Sequence, residues 1–278
     1  MLSLLILLSP ASSVEYLILL NATIHKNLTR QLMYILFSPS EGKKLDGKAS
    51  SLKLDKLLLP SLKAERTKLL DDYKDLILNG DTEQLQALTG IKKEDEIKKY
   101  QVDLFTSETM SAIERYDGVA YDYLDFQSLT TKEKEFLNQH TIIFSNLFGP
   151  LLAGDLIPAY KLKQGATIKG TATEKVYKKA SQGLLNEVVK EELVLDLRAG
   201  YYEKFYALEQ PFITMKFLKG GKSVSHWAKA YRGKVLRTLA SAQPTTPDEL
   251  INIKFEGLKF IESIPYKKLG TMLVYEVE

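Results

Sequence analysis

Residues 144–165 read FSNLFGPLLAGDLIPAYKLKQG. Upstream of this stretch, Thr130 and Glu133 form a capping-box pair. Phe136, Leu137, His140, Ile143, Phe144 and Leu147 then recur at the spacing of one buried helical stripe. The pattern predicts a helix from Thr130 that stops near Asn146, because asparagine tolerates left-handed backbone and Gly149 follows. Pro150 suits the first turn of a second helix. The expectation is a helix-hairpin-helix-like corner at Asn146–Gly149, with bare N–H groups and the positive end of the second helix turned outward. A plain corner between two helices would carry the same sequence.

Working outward, Met33–Phe37 reads as a buried strand that ends at Ser38-Pro39, followed by the loop SPSEGKK. Lys53–Leu78 reads as mostly helical, and Asp81 with Gln84 marks another helix start. Thr106–Tyr116 looks helical, and the aromatic-rich Tyr121–Phe126 looks irregular. Thr173–Glu192 reads as helix and Leu193–Leu197 as strand. Phe212–Phe217 and Ser223–His226 alternate about Gly220-Gly221, as in a β-hairpin. Trp227–Ala240 is helical, Thr246-Pro247-Asp248-Glu249 is a further start signal, and Ile251–Phe255 and Thr271–Glu278 look like strands. Strands spread among helices with no repeat and no linker predict a single α+β domain over 33–278, a mixed sheet packed with helices.

Met1–Leu32 differs in character, with one Lys, one Arg and one Glu among short, broken apolar runs. Neither run approaches the roughly 18–20 apolar residues of a membrane span, and no basic residue precedes the first, as a signal peptide would require. It is expected to be an extension outside the fold. The 278 residues contain no cysteine, which excludes disulfides, thiolate catalysis and cysteine-bound metal. The three histidines, His25, His140 and His226, are far apart and show no zinc spacing. No metal and no cofactor are therefore expected.

The net charge is only +3, but its distribution is uneven. Gln210–Pro247 carries Lys216, Lys219, Lys222, Lys229, Arg232, Lys234 and Arg237, and no acid. An acid-free basic helix face attracts polyanions by phosphate neutralisation, although a solvated surface with no ligand would look alike. The SPSEGKK loop is a second candidate, since a Gly- and Lys-containing loop after a strand can hold a phosphate; it lacks the Walker A spacing. No GxSxG occurs. A pocket of Ser38, Lys43, Asp155, Lys229 and Arg232 would suit an anionic ligand.

The order of these segments is informative. A strand with SPSEGK, then YDGVAY, the capped helix into SNLFGPLLAGDLIPAYKL, the strand VLDL, SHWAKAYRG and a terminal sheet segment together resemble the YaaA family of bacterial peroxide-stress proteins, over about Met33 to Phe260. The family's SGLYG resembles Ser145–Gly149, with Asn146 in place of the first glycine. Its LRPxDLxxPYRL resembles Leu151–Leu162, keeping Asp155 and Tyr160, with Pro158 one position before the proline of PYRL, and with Leu152, Ala153 and Lys161 replacing Arg, Pro and Arg. AKxARG resembles Ala228–Gly233, keeping Lys229, Arg232 and Gly233, whereas Ala199 and Tyr201 depart from the family's NLxSxEY.

The resemblance implies a cytoplasmic protein that limits oxidative damage under hydrogen peroxide. It also implies binding of double-stranded DNA, without sequence preference, through a helix-hairpin-helix element. The expected DNA contacts are Asn146, Leu147, Phe148 and Gly149 at the turn, widened by Lys161, Lys163, Lys229, Arg232, Lys234 and Arg237. No stable membrane association is expected, and a binding protein is favoured over an enzyme. The alternative is an enzyme or small-ligand binder that uses the Ser/Lys/Arg pocket.

Overall fold

The computed structural model describes residues 32–223 and 227–278. The expectation for Met1–Leu32 concerns residues almost wholly outside that range, as do those for His25 and His226.

In chain order the strands are β1 (Met33–Phe37), β2 (Gly42–Lys43), β3 (Thr109–Ser111), β4 (Tyr116–Asp117), β5 (Thr141–Ser145), β6 (Gly149–Leu152), β7 (Leu156–Pro158), β8 (Leu193–Asp196), β9 (Phe212–Lys219), β10 (Lys222–Ser223), β11 (Leu258–Tyr266) and β12 (Gly270–Val277). The helices are α1 (Lys63–Asn79), α2 (Thr82–Thr89), α3 (Glu94–Lys98), α4 (Ala112–Arg115), α5 (Val119–Leu124), α6 (Thr131–His140), α7 (Thr173–Val189), α8 (Trp227–Ala242) and α9 (Pro247–Ile251). The arrangement is α+β. One mixed sheet runs β11-β12-β9-β8-β1-β5-β6, with β10 paired to β9. Its five inner strands, from β12 to β5, are mutually parallel, and antiparallel hairpins close both ends.

Both faces of the sheet are covered, which is why its inner strands are continuous apolar runs. Ile35, Phe37, Ile143 and Leu195 point to one face, where they join Leu236 and Leu239 of α8 and Leu137 of α6 in one buried cluster. Their neighbours Leu36, Ile142, Phe144 and Val194 point to the other, against Tyr177, Leu185 and Val189 of α7 and Leu69 of α1. The alternation is the two-residue period of a strand.

The decisive stretch folds differently from the expectation. The capping box at Thr130 forms, but the helix ends at His140. Residues 141–145, TIIFS, continue as strand β5, parallel to β1 and wholly buried. A short apolar run of this kind reads equally as helix or strand; the β-branched Thr141-Ile142-Ile143, with sheet neighbours available on both sides, selects the strand. Asn146–Gly149 is then the turn of a β-hairpin, with Ser145 paired to Gly149 across it, and not a corner between helices. Pro150 sits in strand β6 and opens no helix.

Three smaller readings also change. Tyr121–Phe126 is largely helical, in α5; Thr106–Tyr116 holds a three-residue strand before α4; and 251–255 is the end of α9 and a loop. The turn at Gly220-Gly221 joins β9 to β10, both glycines having left-handed φ (58° and 73°); residues 224–226 of the expected second strand lie outside the described residues.

Candidate functional site

Strand β1 lies between β8 and β5, both parallel to it. The chain leaves β1 towards β5 and β6, then crosses back to β8 and continues outward to β9. The strand order therefore reverses between β1 and β8. In open parallel sheets, the loops that leave the carboxyl ends of two such strands part there and open a crevice. Here a cleft of about 450 Å³ occupies that crevice, lined by Ser38–Gly42 after β1 and by Leu197 and Ala199 after β8. Residues 117–121 at the start of α5, together with Tyr202 and Gln164, also line it, and Lys229 and Arg232 of α8 complete it.

The walls are fastened to each other. Ser38 Oγ accepts the N–H of Ala199 at 2.8 Å, and Tyr121 donates its hydroxyl to the Ser38 carbonyl at 2.9 Å. Lys229 and Arg232, three residues apart, fall on one side of α8. Helix α8 is held against α5 at Gly233, where an added Cβ would lie 2.1 Å from the Ala120 carbonyl oxygen.

Arg232 is the most telling group. It lines the cleft, and burial pushes its guanidinium below the ordinary range, with Asp196 and Glu203 acting the other way. Both of these acids already have partners. Asp196 takes a two-pronged ion pair from Arg198, at 2.9 and 2.8 Å, and Glu203 pairs with Lys267. Among the described residues, Arg232 makes no hydrogen bond or ion pair of its own. A half-buried cation without a dedicated counterion carries a desolvation cost that an incoming anion would offset.

Of the expected anion-pocket residues, Ser38, Lys229 and Arg232 share this cleft, while Lys43 and Asp155 do not line it. The Lys43 ammonium lies under the loop, 4.1 Å from the Tyr160 ring centroid, and donates to the Ser40 carbonyl at 3.0 Å. Burial, with Lys161 next, pushes its amine down to about 7. Lys43 thus supports the loop from within.

Asp155 serves the hairpin instead. Its Oδ2 accepts the N–H groups of Leu58 and Leu152 at 2.8 and 2.9 Å. Burial pushes its carboxyl up from 3.8 to about 6 against those two bonds and Arg66. A carboxyl raised in the fold contributes stability below its unfolded value that is lost as pH rises through about 6. Asp155→Asn keeps an acceptor oxygen without the charge. It is expected to gain about 2 kcal/mol over the wild type between pH 4 and pH 7.5, a tenfold change in a protonation equilibrium being worth about 1.4 kcal/mol. Urea midpoints at the two pH values check this, and a gap that does not widen with pH contradicts it.

The expected DNA-contact residues are not gathered on one face. Asn146 is 5% exposed, and Leu147 and Phe148 are wholly buried. The N–H groups of Leu147 and Phe148 bond to Ser145 Oγ at 3.2 and 2.9 Å. Asn146 donates to the Leu162 carbonyl at 2.7 Å, and Tyr177, packed on Gly149, donates to the Leu147 carbonyl. The turn offers no amide to a phosphate, because hairpin geometry and α7 enclose it. Arg237 is spent on the carbonyls of Leu124 and Asp125, at 2.8 and 3.0 Å. Lys234 lies 3.7 Å from Glu256, and Lys161 3.7 Å from Glu41. Lys163 is exposed, away from the cleft lining. Only Lys229 and Arg232 of the set reach the cleft.

Sequence reading misses Asp117, Gly118, Tyr121, Gln164 and Tyr202 as cleft residues; the Asp117-Gly118 turn is the one local signal for them. Among the described residues, no group of three or more His, Asp or Glu is placed to hold a metal ion, and no helix is long and apolar enough to cross a membrane.

Comparison with known proteins identifies the family. A family model described as "Peroxide stress protein YaaA" matches residues 33–264. An uncharacterized protein of Campylobacter jejuni is 42% identical over 245 residues, 88% of this chain and 99% of that protein. UPF0246 proteins of Streptomyces coelicolor and Corynebacterium glutamicum are 31% and 32% identical, covering 79% and 87% of this chain and 88% and 100% of their own lengths. A match across this span, holding both the SPSEG loop and the Lys229–Arg232 turn of α8, means that the chain belongs to the YaaA family of peroxide stress proteins.

Proposed function

We propose that this chain serves peroxide stress in the cytoplasm by holding phosphate groups at the crevice between β1 and β8, with DNA as the polyanion. Arg232 and Lys229 are the phosphate contacts, and Ser38 is a donor beside them. The observation that carries the reading is Arg232, half-buried in the cleft and without a counterion of its own among the described residues. The buried turn at Asn146–Gly149 has no part in this binding, which is the main change from the sequence-based expectation. Contact of this kind positions a duplex through its backbone and carries no base code.

The test is fluorescence anisotropy of a labelled duplex at rising salt. Replacing both cations, Lys229→Glu with Arg232→Glu, is expected to weaken binding on the order of a hundredfold at low salt. It should also make the log–log salt slope shallower by about two, one for each lost phosphate contact. Wild-type affinity in the double variant rejects the reading. One observation favours a second reading, a small anionic ligand: the cleft is a bounded volume of about 450 Å³, within the range of roughly 300–1,000 Å³ typical of small-molecule sites.

A further inference from the structure

The lining of the cleft is not that of a simple anion site. Its two cations stand on α8, whereas Asp117 ends β4, and Glu41 and Gln164 come from loops. Glu41 is engaged, accepting the Gln164 N–H and facing Lys161. The Asp117 carboxylate, by contrast, has no hydrogen bond or ion pair among the described residues, and no ion pair joins it to Arg232 or Lys229. Between these polar groups the surface is apolar and aromatic: Pro39, Val119, Leu197, Ala199, Tyr121 and Tyr202. A bare phosphate would satisfy Arg232 but leave Asp117 and the apolar wall unused. A duplex would bring only a backbone phosphate to Arg232 and Lys229, and would likewise leave Asp117 and the apolar wall unused.

We infer that the cleft admits one nucleoside monophosphate unit. Its phosphate rests on Arg232 and Lys229, its ring lies along the Tyr121–Tyr202 wall, and its hydroxyl or amino donors meet Asp117. The inference rests on the phosphate-binding reading above and names the ligand class of the same site. The unit has two sources, a free mononucleotide or a single nucleotide swung out of a nucleic-acid strand, which would place the base in a pocket as base-acting proteins do.

Calorimetry with adenosine 5′-monophosphate, adenosine and inorganic phosphate tests it. The monophosphate should bind at least tenfold more tightly than either fragment. Val119 is 39% exposed at the mouth; Val119→Trp should fill the cleft and abolish monophosphate binding with the fold intact by circular dichroism. Arg232→Gln is the second variant, expected to lose at least tenfold. Phosphate binding as tightly as the monophosphate overturns the inference, as does monophosphate binding that survives Val119→Trp. A wild type that binds duplex with a steep salt slope but no monophosphate overturns the inference and leaves the broader reading standing. Monophosphate binding without duplex binding upholds the inference, overturns DNA as the polyanion and identifies the free nucleotide as source. A tenfold preference for a duplex with one unpaired adenosine over the paired duplex, lost in Val119→Trp, assigns the source to the strand.

Discussion

Arg66→Ala is expected to cost about 4 kcal/mol of stability, at the low end of about 1–3 kcal/mol for each of four buried acceptors left unsatisfied. Arg66 is wholly buried on α1, yet no carboxylate is bonded to it. Its guanidinium donates instead to four carbonyls: Phe148 at 3.0 Å, Leu59 at 3.1 Å, Leu58 at 2.7 Å and Pro150 at 2.8 Å. Two of these acceptors belong to the segment before α1, and two to the hairpin β5–β6. Asp155 grips the same two segments from the amide side, through Leu58 and Leu152. Removing the arginine strands four carbonyls where water does not enter and leaves a side-chain-sized void. For a chain of this size the melting temperature should fall on the order of 10 °C, at about 2–4 °C per kcal/mol. Arg66→Lys should recover only part, since one ammonium cannot reach acceptors spread about a planar fork. A melting curve for Arg66→Ala within about 2 °C of wild type, the shift of less than 1 kcal/mol, would show that the carbonyls find other partners.

The second large effect has a sign opposite to the ordinary rule. In an exposed helix, glycine to alanine gains about 1 kcal/mol. Gly233 lies within α8 and is buried, and an alanine Cβ there would sit 2.1 Å from Ala120 O and 3.1 Å from Leu124 N. Both neighbours are backbone atoms of α5, which cannot rotate aside as a side chain would. Gly233→Ala is therefore expected to destabilise by about 2 kcal/mol, the usual cost of overpacking. The functional loss should be larger than that figure suggests. Prising α8 from α5 displaces Arg232, the preceding residue, and Lys229, one turn earlier, from the loop after β1. Phosphate or duplex affinity should drop at least tenfold in protein that still melts cooperatively. A variant as stable as wild type, or stable but fully competent to bind, would contradict the packing argument.

These cases show what the sequence can and cannot reveal. Local hydrogen-bond chemistry is legible: the side chains of Asp81, Thr130 and Thr246 cap α2, α6 and α9 as their spacing predicts. Strand β5 is not, because the β-branched run Thr141-Ile142-Ile143 is only a weak local signal and its conformation depends on β1 beside it. Helix α5 reads as irregular, since its stability comes from packing on α8 at a glycine far along the chain. Arg66 looks like one more charged residue on a solvated helix. The SPSEG loop and the Lys229–Arg232 pair both stand out in the sequence. Their convergence depends on the crossover that returns the chain past β1, and on the choice of face that turns Arg237 inward to α5 and leaves Arg232 to the cleft.

A cleft whose polar lining is guanidinium, ammonium, hydroxyl, phenol, carboxylate and amide groups, with no sulfur among the described residues, has a chemical consequence under oxidant. The chain contains no cysteine, so hydrogen peroxide finds no thiolate to convert to sulfenic or sulfinic acid. None of the methionines among the described residues lines the cleft, so their conversion to sulfoxide would not place a new polar group there. The proposed grip on an anion would thus need no reductant to restore it, and would persist at oxidant levels that silence proteins whose sites depend on sulfur.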